Sequence, residues 1–507
     1  MCYQFRAILF SSVLILLLGQ SCSAFDVKLD GRSLPVHPVR VSAFPMNQLW
    51  PGYQRPEEQT EVAGFVSFDM DRPVVLTICP NGNERGGEPV VLPLSWKPKT
   101  EICDEGLRIE VDRPRQFVVS FGRDAVPLHV FANPPFVRPS GANVRTFDPG
   151  EHHVGTLCPR SGETIVIDEG AVVYGNILVA HAENVKVTGR GIVDCSYIDR
   201  TTGDTVQNRA YAKAGFPPCA FGEELSVSAF TCAWSTNVTV EGVVFRDSPQ
   251  WTMNVRAQSR NVTADNVKIF GWRYNSDGFS AGTSENVTIR NSFIRSFDDC
   301  LVAHDATLDK GVAEGPTRNF LAENCVLWCD WGLCMRTCAL YLPALVENVR
   351  FRDIAVIHVG GHSVCDVTTF YGSSDSHFRK VSYEGVEVDF SRTRYRGHMQ
   401  KSPTDTAFPR VKAEDVELFR ANVWSYGRYT GNQRHEPATD LSGFRVRYED
   451  LVFRDFRVFG DVPRLTAKVD ASTAPHTIDG LTVEGMPASL ELVKNMSHDN
   501  HTEGESK

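Results

Sequence analysis

A short apolar unit that opens on asparagine recurs along the middle of the chain. It reads NVKVTGRGIVD at 184, NVTVEGVVFRDS at 237, NVTADNVKIFGW at 261, NVTIRNSFIRS at 286, NFLAENCVLWC at 319 and NVRFRDIAVIH at 348. After the second unit the starts step by 24, 25, 33 and 29 residues, within the range that marks solenoids and arrays. Inside each unit the apolar residues alternate with period two and are rich in Val, Ile and Phe, so the units are strands rather than helices. Short strands of this kind cannot bury their apolar faces alone and must stack on their neighbours. The expected fold is therefore all-β, a parallel β-helix in which equivalent residues of successive coils lie ~4.8 Å apart. The opening asparagines suit its tight corners, where the side chain satisfies backbone groups or tolerates left-handed geometry.

The rest of the chain divides around this repeat. Residues 1–24 read as an export signal, with Arg6 ahead of AILFSSVLILLLG and small residues in QSCSA; Cys22 offers a lipid-attachment alternative. The apolar run is too short to span a bilayer as a helix. A secreted, periplasmic or cell-surface location follows, without a membrane span. Residues 25–140 carry strands such as EVAGFVSFDM, PVVLTICP and QFVVSFG, separated by Pro, Gly and Asp without a 25-residue period. They are expected to form a small β-sandwich, closed by LHVFANPP, that caps the open end of the first coil or else binds carbohydrate. The β-helix is expected over 141–490, followed by a flexible tail at 491–507. Polar segments at 196–233, 303–318 and about 391–442 are too long for coil corners and are expected to wall a groove.

Of the 14 cysteines, Cys325, Cys329, Cys334 and Cys338 are densely spaced. Their C-x3-C-x4-C-x3-C pattern lacks the C-x2-C knuckles of zinc sites, so buried apolar packing, or one or two disulfides, is expected, with no metal and no cofactor. A net charge of −10 over 507 residues offers no basic surplus for a nucleic-acid backbone. A monomer is expected.

Two acids stand side by side in SFDDCLVAHD, residues 296–305, at the edge of an apolar strand. One coil upstream, WRYNSDGFS carries Asp277, 21 residues before Asp298 and 22 before Asp299. In a β-helix that spacing stacks three carboxyls on adjacent coils of one face. Stacked like charges repel by ~1 kcal/mol or more per close pair, which a purely structural arrangement avoids. Hydrolysis of a glycoside uses it, because crowding splits the acids into one protonated and one ionised. Both acids of the pair are therefore expected to leave the coil interior and face a groove beside Asp277. Trp272 and Tyr274 offer aromatic faces for sugar rings.

NSDG followed one coil later by DDC resembles the polygalacturonase family, glycoside hydrolase family 28. The order of acids behind an N-terminal β-sandwich also resembles the dextranase and isopullulanase family, glycoside hydrolase family 49. The lead-in FDPGEHHVGTLCPRSGETIVIDEGAVVYGNI at 147–177, with GRGIVD at 189–194, is similar to the first coils of such right-handed β-helix glycosidases. The resemblance implies an exported, inverting glycoside hydrolase acting on a polysaccharide. In it Asp298 is the general acid, Asp277 and Asp299 hold and deprotonate the water, and Asn275 contacts sugar or orients an acid. The chain departs from family 28 where a G-H-G motif and an R-I-K motif are expected: the next coil reads WCDWGLCMRTC. Arg336, His304 and His362 are the residues available in their place for substrate binding. A β-helix polysaccharide lyase or epimerase, and a non-catalytic glycan-binding β-helix, are the alternatives.

Overall fold

The computed structural model describes residues 24–43, 59–81, 87–202 apart from 105, 123 and 124, 228–304, 315–339, 345–360, 363–369, 376–391 and 447–460. It adds short strand segments at 205–207 and between 417 and 495. The export signal and most of the three long polar segments lie outside the described residues. Every regular element among the described residues is a strand, and none of these residues forms a helix long and apolar enough to cross a membrane.

The central feature is a 30-stranded sheet wound as a right-handed parallel β-helix, beginning at Val144–Phe147, which pairs in parallel with Thr164–Ile167. Each coil contributes to three faces. The first face holds Thr236–Glu241, Arg260–Asp265 and Glu285–Arg290. The second holds Val244–Arg246, Lys268–Phe270 and Phe293–Ser296. The third holds Met253–Arg256, Phe279–Gly282, Leu301–His304 and Met335–Ala339. Period-two alternation sends one set of residues inward, where Val238, Val262, Val287, Phe320, Val349 and Val381 fall in register and are buried. Farther along, Phe351 stacks on Tyr383 at 4.8 Å and Tyr383 on Phe453 at 5.1 Å. Each such side chain withdrawn from water contributes about 1.5–3 kcal/mol.

The asparagines that open the units are the corner before this interior column. Asn184, Asn237, Asn261, Asn286, Asn319 and Asn348 all have φ between 56° and 59°. Each amide donates to the carbonyl oxygen of the asparagine one coil below: Asn237 to Asn184 at 3.1 Å, Asn261 to Asn237 at 3.0 Å, Asn286 to Asn261 at 2.9 Å, Asn319 to Asn286 at 2.8 Å and Asn348 to Asn319 at 2.7 Å. Asparagine tolerates the left-handed corner and links the coils at once.

The cysteines are packed as small apolar residues. Cys195, Cys232, Cys300, Cys325, Cys329, Cys334, Cys338 and Cys365 are buried with free thiols, and no disulfide occurs among the described residues. Of the two expectations, apolar packing holds and pairing does not.

Residues 25–133 form two five-stranded sheets. Phe25, Leu76 and Ile109 from one and Val66, Phe117, Leu128 and Val130 from the other share a core. In Leu128–Asn133 every residue is buried. Leu128, Val130 and Ala132 turn into that core, while Phe131 packs with Phe65 against Phe270 and Phe293 of the β-helix. Capping of the first coil is thus corrected: these sheets lie along the second face, over Val244, Phe270, Phe293, Val326 and Trp328. The strand is apolar on one side and aromatic on the other, so it has two faces to bury. A second correction concerns the start of the tail: Glu491–Asn495 is a strand paired in parallel with Thr466–Asp470, which extends the sheet by one more strand.

If the backbone conformation dominates the corner, Asn261→Ala lowers unfolding free energy by about 1–2 kcal/mol, and Asn261→Gly by clearly less, in urea denaturation. Equal losses would assign the effect to the amide ladder instead.

Candidate active site

The turns from the second face to the third carry the acids. In the turn at 271–278, Ser276 Oγ donates to Arg273 O at 2.6 Å and Asn275 takes φ 52°. Arg273 ties this turn to an earlier one, donating through Nη2 to Ser196 O at 3.2 Å and through Nη1 to Ile198 O. The turns then stack by backbone contact. Gly278 N–H donates to Asp299 O at 2.8 Å, and Gly332 N–H to Phe297 O at 3.0 Å. A Cβ on Gly278 would lie 2.3 Å from Cys300 O, and one on Gly332 would lie 2.4 Å from Asp298 C. Only glycine lets the coils approach this closely after Asp277 and above the acid pair.

The structure brings Asp277, Asp298, Asp299, Asn275 and Arg336 together. Asp298 is half-buried, and its Oδ2 accepts from Asn275 Nδ2 at 3.4 Å and its Oδ1 from Asp299 N–H at 3.1 Å. Asp299 is 4% exposed. Its Oδ1 accepts from Leu333 N–H at 2.7 Å and its Oδ2 from Arg336 Nη1 at 2.6 Å. Arg336 stands between Met335 and Thr337, in register with Val302 and Ser280. Met335 belongs to the coil core, so alternation puts Arg336 on the outer side. Asp299 therefore turns out of the interior, as the sequence suggests, yet it is covered rather than open to a groove; of the pair only Asp298 reaches the surface.

Asp277 is 6% exposed, and its Oδ1 is buried without a hydrogen-bond partner in the structure. Burial, then the charges of Asp298 and Asp299, push its carboxyl well above the usual carboxylate range, with Arg336 opposing them. Three acids thus crowd around one guanidinium.

The remaining expected residues are placed as follows. Tyr274 is half-buried in the Asn275 turn. His304 is buried at the far end of Leu301–His304, on the same outer side as Val302. Trp272 is 2% exposed, donates through Nε1 to Asp247 Oδ1, and lies under the guanidinium groups of Arg273 and Arg40. Its expected role as an open sugar-stacking face is corrected, because these contacts cover the ring. His362 lies outside the described residues.

Two further neighbours stand at the cluster, of which Asp366 has no place among the residues the sequence pointed to. Trp331 is half-buried and stacks on the buried Phe297, centroids 5.4 Å apart and 4° from parallel, beside Asp298. Asp366 is buried one coil beyond Arg336, its Oδ1 3.7 Å from Arg336 Nε. Its signal is an acid at an alternating position within the apolar strand VCDVTT.

A model described as glycosyl hydrolases family 28 matches residues 173–391, which include all three acids. The chain is similar to that family. An exopolygalacturonase of Cochliobolus carbonum is 28% identical over 171 residues, 30% of this chain and 36% of that protein. A probable exopolygalacturonase B of Aspergillus fumigatus is 26% identical over 168 residues, 31% of this chain and 34% of that protein. The chain thus spans about a third of the length of the curated relatives it matches. Among solved structures, Dex49A from Penicillium minioluteum superposes with a TM-score of 0.60 at 14% identity, covering 94% of this chain and 92% of that one. That likeness extends through the N-terminal sheets and concerns the fold.

The raised carboxyl makes a prediction. The folded protein holds a proton on Asp277 that the unfolded chain releases above its ordinary pKa near 3.9. Folding stability therefore falls as pH rises from that value toward the raised one. Asp277→Asn removes this loss. Its gain over the parent is absent below about pH 4, where both forms are neutral, and grows by up to about 1.4 kcal/mol per pH unit inside the window. Urea unfolding at pH 4, 5.5 and 7 checks it.

Proposed function

We propose that this protein is an exported glycoside hydrolase that cleaves O-glycosidic bonds of a polysaccharide with inversion at the anomeric carbon. The observation that carries this reading is the three-acid cluster, held by Gly278 and Gly332 at a place where burial and mutual repulsion retain a proton. The similarity to family 28 across the same residues supports it.

The acids divide by environment. Asp299, whose two oxygens accept from Leu333 N–H and from Arg336, is held in a fixed orientation and serves as a base. Asp277 offers an unpartnered oxygen to a water, which the two acids hold and deprotonate. Asp298, the most exposed of the three and steadied by Asn275, is placed to meet the glycosidic oxygen as general acid. The proton that the free site keeps on Asp277 must stand on Asp298 when substrate arrives. Transfer across the water between adjacent acids meets that need and leaves Asp277 ionised for the attack. Bond cleavage then proceeds with water entering opposite the leaving group.

Export rests on Arg6 and the apolar run after it. The named relatives make a galacturonan the first substrate to try, and Dex49A makes α-glucans the second.

Purified protein incubated with galacturonans, α-glucans and sulfated galactans is expected to release reducing ends from one of them. Proton NMR of the first product should show the anomer opposite to the bond cut; retention would exclude the inverting assignment. Asp298→Asn is expected to lower kcat by roughly 10²–10⁴-fold, and undiminished turnover would remove Asp298 from its role.

A further inference from the structure

Among the described residues Arg336 is a cation in contact with the acid cluster, and its contacts say what it serves. Nη1 lies 2.6 Å from Asp299 Oδ2, and Nε lies 3.7 Å from Asp366 Oδ1. Asp299 has its other oxygen fixed by Leu333 N–H. One carboxylate on the site side and one on the following coil thus hold a single guanidinium between them. The Arg336 side chain is only 14% exposed and that of Asp366 is fully buried.

Two readings of such an arginine differ in chemistry. A clamp for a uronate carboxylate presents free N–H groups to solvent and binds a third anion when substrate enters. A positioning charge is already engaged by the protein's own carboxylates, and its effect is on the acid it touches. Here two carboxylates already contact Arg336, with Asp277 near it, so a substrate carboxylate would meet an excess of negative charge. We propose that Arg336 is a positioning residue that acts on Asp299 rather than on a substrate carboxylate, and that Asp366 holds it in place from the next coil.

The groups facing this arginine are the carboxyls of Asp277 and Asp299 from the turns, Asp366 from the neighbouring strand, and the Cys338 thiol two residues along its own strand. Beneath the acid pair, burial raises the Cys300 thiol, so it stays neutral at ordinary pH. Arg336 is the counter-charge that Asp299 contacts among these acids. The inference rests on the proposed hydrolysis only for its kinetic readout.

Arg336→Gln is expected to move the acid limb of kcat/KM upward by roughly one to three pH units, the usual effect of an opposite charge at contact distance. At neutral pH kcat should fall at least tenfold, with KM within about threefold of the parent. Arg336→Lys keeps the charge and should return the limb at least halfway, which also covers the case in which the Gln variant does not fold. Asp366→Asn should lower kcat with KM unchanged. A KM raised tenfold or more on a uronate glycan, with kcat and the acid limb at parental values, would overturn the proposal and make Arg336 a substrate clamp. Infrared titration of the carboxyl groups, with Asp299→Asn marking the band, reads the same shift between parent and Arg336→Gln without substrate; an unmoved Asp299 band would overturn it as well. If the parent protein hydrolyses no glycan yet the band moves, the proposed function fails while the role of Arg336 stands.

Discussion

Parallel stacking fixes equivalent residues of neighbouring coils one strand spacing apart, and much of the molecule follows from that constraint. Where the stacked residues are asparagines, the spacing equals a hydrogen bond, and a ladder forms from Asn184 to Asn348. Where they are valines or aromatics, the same spacing is van der Waals contact and the interior fills. Where they are aspartates, it becomes a repulsion that has to be offset. The chain answers with one arginine, two main-chain N–H groups and a raised carboxyl on Asp277, and so places the acids of an unfavourable register in unequal surroundings.

The parts of this that could be read from the sequence are those the repeat dictates. Asn261 and Asn286 repeat at one coil length, so their corner role was visible, and Asp277 stands one coil from Asp298, so their proximity was visible. The partnership of Arg336 with Asp299 was not, because it spans 37 residues across a longer coil and depends on which side of a strand Arg336 takes. The cover over Trp272 was hidden for another reason: Arg40 reaches it from a separate pair of sheets, and no local pattern reports such a contact. The docking of those sheets did leave a trace in LHVFAN, where apolar residues on one side and His129 and Phe131 on the other mark a strand with no solvent face.

That docking bears on the acids from behind. His129 and Phe131 pack on Phe270 and Phe293, one strand before the turns that hold Asp277 and Asp298. In the same layer the fully buried Arg295 lies 4.3 Å over the Trp328 ring and 3.6 Å from Asp330, to which Trp328 Nε1 also donates at 2.8 Å. Asp330 directly precedes Trp331 and Gly332, the residues that cover Phe297 and the backbone of Asp298. A buried ion pair adds little net stability after desolvation, so its value here is better sought in geometry. Anchored between Arg295 and Trp328, Asp330 sets where the next turn begins, and that turn supplies the Leu333 N–H on which Asp299 rests. An acid cluster whose proton affinities depend on contacts of a few ångströms needs such a support, because a small displacement of Gly332 or Leu333 would alter both the spacing and the charge of the acids. The N-terminal sheets thus contribute to the site by holding rigid the face from which its turns depart.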